Sequence, residues 1–155
     1  NENMLNRGKE NLINTGIVKG ISYIIANAEN LPFRDNSFDS IIIAFGLRNI
    51  TNKNAALESM YKKLKYGSQL IILEFSKVNS PLLDKIYRKY SFKFIPKLGK
   101  AVSGNEGGYK YLVESIHMHP NQEKLSSMMM EAGFKNIKYY NLLGGIAAVH
   151  RGYKI

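Results

Sequence analysis

Between Asp39 and Arg48 the chain runs Ile41-Ile42-Ile43-Ala44 without a polar interruption, then Phe45, then Gly46. A run this short and this β-branched reads as a strand buried on both faces, the pattern of a parallel sheet covered by helices. Gly46 reads as its stop, where the backbone is free to turn. The loop beyond delivers Arg48 and Asn49. In open α/β sheets, ligands bind outside the carboxyl ends of the strands. A fixed cation and an amide therefore stand where chemistry is expected. The same Arg48 would serve equally well as the structural partner of a neighbouring carboxylate, and these residues alone leave both readings open.

The flanks fit a layered α/β unit spanning 1–155. Residues 3–15 carry Leu5, Leu12 and Ile13 among Lys and Glu, an amphipathic helix stopped by Gly16. Residues 21–26 read as a second buried strand, and 31–37 are turn-rich and lead into the central one. Thr51 or Asn52 caps a helix whose face is Leu57, Met60, Tyr61 and Leu64, with Gly67 as its end. Residues 69–75 form another apolar strand, with Glu74 near its carboxyl end. Strand, helix, strand in this order is a βαβ unit. Pro120 starts a last helix with Leu125, Met128, Met129 and Ala132 on one face and Gly133 as its stop. Residues 137–143 and 146–153, joined by Gly144-Gly145, read as an antiparallel hairpin closing the sheet.

Residues 81–118 differ in character. Lys85, Arg88, Lys89, Lys93, Lys97 and Lys100 interleave with Tyr87, Tyr90, Phe92 and Phe94. Such interleaving marks some nucleic-acid surfaces, but a helical insertion with lysine stems lying over aromatics is the better reading. The net charge of +10 points the same two ways, towards nucleic acid or an anionic membrane face. Seventeen lysines against five arginines, together with many Asn and Ile, suggest instead that A/T-rich codons explain much of it. No apolar run approaches the roughly 20 residues of a membrane span. With no cysteine there is no disulfide framework or thiolate metal site, which suits a reducing cytoplasm. His117 and His119 have metal-ligand spacing, but beside Pro120 they read as a loop or cap, and no metal is expected. P-loop, G-x-G-x-x-G and G-x-S-x-G motifs are absent. From the residues alone this is a Rossmann-like sheet with an Arg-Asn loop at its functional edge, and no reaction is named.

Residues Ala26-Asn27-Ala28-Glu29-Asn30-Leu31-Pro32-Phe33 and Phe45-Gly46-Leu47-Arg48-Asn49 add a resemblance. So do Leu73-Glu74-Phe75-Ser76, Tyr90-Ser91-Phe92, Tyr111-Leu112-Val113-Glu114-Ser115-Ile116 and the closing His150-Arg151-Gly152-Tyr153-Lys154. Together, and in order along the whole chain, they resemble the S-adenosylmethionine-dependent C-methyltransferases of ubiquinone and menaquinone biosynthesis, bacterial members in particular. That family has a class I methyltransferase sheet in the order 3-2-1-4-5-7-6, mostly parallel, with the last strand antiparallel. The resemblance implies that residues 21–26 are strand three, 39–45 strand four, 69–75 strand five, and the terminal hairpin strands six and seven. Strands one and two, with the glycine-rich loop and the ribose-binding acid, would precede Asn1. Asn1 is not an initiator Met, so the chain is expected to begin inside a longer one and to be inactive by itself.

The resemblance also assigns roles. Asn27 and Ala28 would read the adenine of S-adenosylmethionine, and Ala44, where many members have Ser, would contact the cofactor through its backbone. Arg48 and Asn49 would be catalytic: deprotonating a quinol hydroxyl pushes charge onto the adjacent ring carbon, and Arg48 would stabilise that oxyanion. The implied substrate is a lipid-soluble demethylated quinol, of demethylmenaquinol or 2-methoxy-6-polyprenyl-benzoquinol type. A cytoplasmic enzyme touching the inner membrane face follows, with a homo-oligomer left open and no nucleic-acid partner. The reading from another class is a non-catalytic remnant, or a basic module binding nucleic acid or a membrane surface.

Overall fold

The computed structural model describes residues 2–16, 19–78 and 106–155. The first element is α1 (Glu2–Asn14), as its amphipathic pattern predicts, although none of its residues is buried. Residues 21–26 do not form the expected strand. Ile24 and Ile25 are more than half exposed, and no described strand lies beside them to supply the hydrogen-bonded ladder that defines one. A short 3-10 turn follows at Ala28–Asn30, capped by the Asn27 carboxamide, which accepts from Glu29 N–H at 3.0 Å. Leu31 N–H then donates to the Ser59 hydroxyl, which anchors this turn on the next helix.

Strand β1 (Phe38–Ala44) leads through the 3-10 turn Leu47–Asn49 to α2 (Lys53–Lys63), whose N-cap is Asn52, accepting from Ala55 N–H. The helix ends before Gly67, and β2 (Leu64–Phe75) begins earlier than the apolar pattern predicts. The discrepancy lies in a bulge. Phe38 pairs with Leu64 but Ser40 with Gln69, and Gly67 takes φ +81° between them. The basic-aromatic residues from Lys85 to Lys100 lie outside the described residues. The chain returns as α3 (Glu106–Met118), then α4 (Gln122–Glu131), capped by Asn121, then β3 (Lys135–Leu142) and β4 (Ala147–Tyr153). The expected terminal hairpin is thus present.

The four strands lie in the order β1-β2-β4-β3. β1 and β2 are parallel, and β4 runs against both β2 and β3. Three strands share one sense, which is the 4-5-7-6 half of the expected order. One face carries the core: Leu70 and Ile72 of β2 meet Ala56, Leu57 and Met60 of α2, Leu125 and Met129 of α4, and Phe134. β1 corrects one expectation. It is not buried on both faces: Ile41 and Ile43 pack against the core, while Ile42 between them is 69% exposed. Among the described residues β1 is an edge strand, and no helix covers its second face.

At Gly152 two layers approach too closely for a side chain. A Cβ there would lie 2.9 Å from Met129 Cε, 3.1 Å from Phe134 Cβ and 3.2 Å from Ile137 Cγ1. Met129 has a flexible tip, but Phe134 Cβ cannot withdraw without moving its backbone. Gly152→Ala is therefore expected to destabilise by about 1–3 kcal/mol through overpacking. Urea unfolding measures it, and a midpoint at or above wild type would show that the contact yields.

Candidate functional site

The site is built where β1 and β2 end side by side. Phe45 N–H donates to Leu73 O, extending the ladder one residue past β1. Phe45 then takes φ +51°. The sharp turn is thus made by Phe45 and not by Gly46, whose φ of −116° any residue adopts. A non-glycine residue in the left-handed region costs on the order of 1–3 kcal/mol, a strain that concentrates at functional sites. The Phe45 ring rests on Phe75, centroids 4.9 Å apart.

This turn sets Arg48 above the end of β2. Glu74 lies on the same face of β2 as Leu70 and Ile72 and is 1% exposed, so its carboxylate must be satisfied within the protein. Its Oε2 accepts from Arg48 N–H at 3.1 Å. Its Oε1 accepts from Arg48 Nη1 at 3.0 Å and from Phe75 N–H at 2.9 Å. Nη1 also donates to Phe45 O, and the guanidinium carbon sits 5.5 Å from the Phe75 ring centre. Arg48 is thus the structural partner of a carboxylate. That pairing leaves a functional group over: Arg48 Nε is buried with no hydrogen-bond partner among the described residues. A buried unsatisfied donor is costly, and Nη2, on the same edge of the guanidinium, is also without a partner among the described residues.

Asn49 is exposed beside it, its Oδ1 accepting from the Tyr111 hydroxyl of α3 at 3.2 Å. Ala44 is exposed at the end of β1. Asn27 and Ala28 belong to the neighbouring turn, which Asn52 N–H ties to the Arg48 loop by donating to Glu29 Oε1 at 2.9 Å. The structure so brings Arg48 and Asn49 together and links the Asn27–Ala28 turn to their loop. Glu74 and Tyr111 escaped sequence reasoning as site residues. For Glu74 the signal was present: a single acid inside Leu70-Ile71-Ile72-Leu73-Glu74-Phe75 must have a cationic or hydrogen-bonding partner.

The surroundings are basic. His119 follows α3, is 3% exposed, and neither ring nitrogen has a partner among the described residues. Burial above all, then the nearby charges of Lys53, His150, Arg48 and Lys77, push its pKa down to about 4. Burial also lowers His150, whose Nε2 lies 3.0 Å from Gln122 O. Among the described residues no cluster of three or more potential metal ligands exists. A base whose folded pKa lies below its unfolded value binds more protons when unfolded. Its stabilisation is complete above about pH 6.5 and is lost as pH falls towards 4. For His119 that loss is about 3 kcal/mol. Urea unfolding at pH 7 and pH 4.5 should show it, with a smaller difference in His119→Asn. Equal pH dependence in the two proteins would place the effect elsewhere.

The model of the ubiE/COQ5 methyltransferase family matches residues 1–154. The ubiquinone/menaquinone biosynthesis C-methyltransferase UbiE of Cronobacter sakazakii is 54% identical over 154 residues, 99% of this chain and 61% of that protein. The Yersinia enterocolitica protein of the same name is 56% identical over the same shares. The chain therefore spans about 61% of the length of these curated relatives. Among solved structures, a SAM-dependent methyltransferase from Thermotoga maritima aligns with a TM-score of 0.64 at 21% identity, over 88% of this chain and 65% of that one. One from Aquifex aeolicus aligns with a TM-score of 0.66 at 15% identity, over 100% and 65%. At these identities they establish the fold, a Rossmann-like methyltransferase sheet.

Proposed function

The chain belongs to the ubiE/COQ5 methyltransferase family, and on that premise we propose that it carries the ring-oxygen side of a site that C-methylates a demethylated quinol. The demethylmenaquinol and 2-methoxy-6-polyprenyl-benzoquinol types both fit the names of its relatives. The observation that carries the proposal is the Arg48 guanidinium, held by Glu74 through Nη1 while Nε–H is buried without an acceptor.

S-adenosylmethionine, when bound, supplies an electrophilic methyl group. The described residues fit its adenine end. Asn27 uses its carboxamide oxygen on Glu29 N–H, which leaves its amide nitrogen as the group to meet a ring nitrogen. Ala28 and Ala44 offer backbone groups beside small side chains. The acids beside these residues, Glu29 and Glu74, are engaged with Asn52 and Arg48. These residues accordingly account for the adenine end and not for the ribose.

The chemistry of the chain's own residues concerns the quinol oxygen. A phenol carbon is a weak nucleophile until the hydroxyl proton leaves. Arg48 stabilises the resulting oxyanion by charge and through its Nε–Nη2 edge, in a site where pre-placed donors act without reorganising. It is no base, because a guanidinium stays protonated in proteins. The proton passes to a water ordered by Arg48 and Asn49, whose carboxamide is oriented by the Tyr111 hydroxyl. A quinol of this kind dissolves in the membrane, and the net charge of +10 suits peripheral contact with an anionic inner face. Among the described residues no helix is long and apolar enough to cross a membrane.

The test uses a chimera in which this chain replaces the matching part of the Cronobacter sakazakii relative. A bacterial strain lacking its own quinol C-methyltransferase should regain methylated quinone on receiving it. Accumulation of demethylated quinone alone, with the chimera folded and abundant, would refute the proposal.

A further inference from the structure

We propose that Glu74 is the positioning residue for Arg48, holding the guanidinium in the orientation that turns its Nε–Nη2 edge towards a substrate oxygen. This rests on the reading of Arg48 given above. One carboxylate grips both ends of the same residue: Oε2 takes the Arg48 backbone N–H and Oε1 takes Nη1. The side chain is thereby fixed relative to its own backbone, which a partner touching the guanidinium alone would not achieve. Glu74 is itself immobile, because it projects from paired β2 opposite Ala148, is 1% exposed, and accepts Phe75 N–H as well. Phe45 O takes Nη1 from another side and the Phe75 ring flanks the group. Among the described residues every polar contact of the guanidinium falls on Nη1, and the Nε–Nη2 edge is left over.

The demand is for a carboxylate, not merely an acceptor. Three donors converge on two oxygens. An amide has one oxygen, and its NH2 would face a donor, so at least one of the three contacts is lost. Glu74→Gln should therefore loosen Arg48 while disturbing the shape of the core little.

Arginine Nε–H exchange, read by 15N NMR on the 155-residue chain, reports this directly. The chain has five arginines, and the resonance missing in Arg48→Ala is that of Arg48. In Glu74→Gln its exchange with water should quicken on the order of 10-fold, the effect of losing one charge-assisted bond. In the chimera the same change should lower kcat on the order of 10-fold with KM for S-adenosylmethionine unchanged, and should cost nothing further when added to Arg48→Ala. Glu74→Asp, which keeps the charge but shortens the reach, is expected to act in the same direction and serves where the amide variant does not fold. Unchanged Nε–H exchange and unchanged kcat in a folded Glu74 variant would overturn the proposal. Wild-type kcat in Arg48→Ala, with faster exchange in Glu74→Gln, would instead overturn the catalytic reading of Arg48 and leave the grip of Glu74 intact.

Discussion

Arg48→Ala, placed in the chimera, is expected to lower the rate of methyl transfer on the order of 10²-fold or more. In the proposed function the cation faces charge that develops on the quinol oxygen during reaction, so its loss should appear in kcat rather than in cofactor affinity. The side chain has a second duty, because it neutralises Glu74 inside the protein. Removing it leaves that carboxylate with the two backbone donors of residues 48 and 75. Arg48→Lys is therefore the informative companion. It keeps a charge for Glu74, yet a single ammonium cannot serve Glu74, Phe45 O and a substrate oxygen with the planar fork that guanidinium offers. Single-turnover rates and calorimetric titration separate the effects. Undiminished turnover with weakened cofactor binding would move Arg48 from the oxyanion to the cofactor.

Phe134→Ala should produce the largest loss of stability. Phe134 is fully buried between the helical layer and the sheet. Its ring meets Tyr61 edge to face, centroids 5.2 Å apart at 87°. It follows Gly133, whose φ of +106° ends α4 and turns the chain into β3. Truncation would empty the point where α2, α4 and β3 meet. Large-to-small changes of this kind cost about 3–5 kcal/mol, because the surroundings collapse only partly. For a chain of this size that is a fall in melting temperature on the order of 10 °C. A fall under about 3 °C would mean that the site repacks freely.

How far the sequence anticipates this structure depends on where each signal's partner lies. The Leu57, Met60 and Tyr61 face, the Asn52 cap, the Met-rich face of α4 and the terminal hairpin are local patterns, and the structure repeats them. Residues 21–26 and 41–44 carry equally clear apolar patterns, yet the first forms no strand and the second leaves Ile42 exposed. A strand is defined by its neighbour, and an isoleucine run states a demand for burial without stating whether it is met. The boundary between α2 and β2 was hidden for a different reason: a bulge carries no hydrophobic period to mark it. At the candidate site, the position of Arg48 and Asn49 directly after a strand was readable from the sequence. Residues 48 and 74 lie 26 apart, and the sequence does not say which acid meets which cation. The structural reading of Arg48 is met by its pairing with Glu74, and the catalytic reading is the proposal made above, resting on the donors that this pairing leaves over.

The role proposed for Arg48 is to hold a quinol oxygen while a ring carbon beside it is methylated. Its most direct test is the position of the transferred group when the chimera is given S-adenosylmethionine labelled with 13C in its methyl and demethylmenaquinol as acceptor. Carbon NMR of the product distinguishes a ring methyl from a methoxyl. Label is expected on the ring carbon adjacent to the hydroxyl, with the rate collapsing in Arg48→Ala. Label on the oxygen, or ring methylation that persists at the wild-type rate without Arg48, would contradict it.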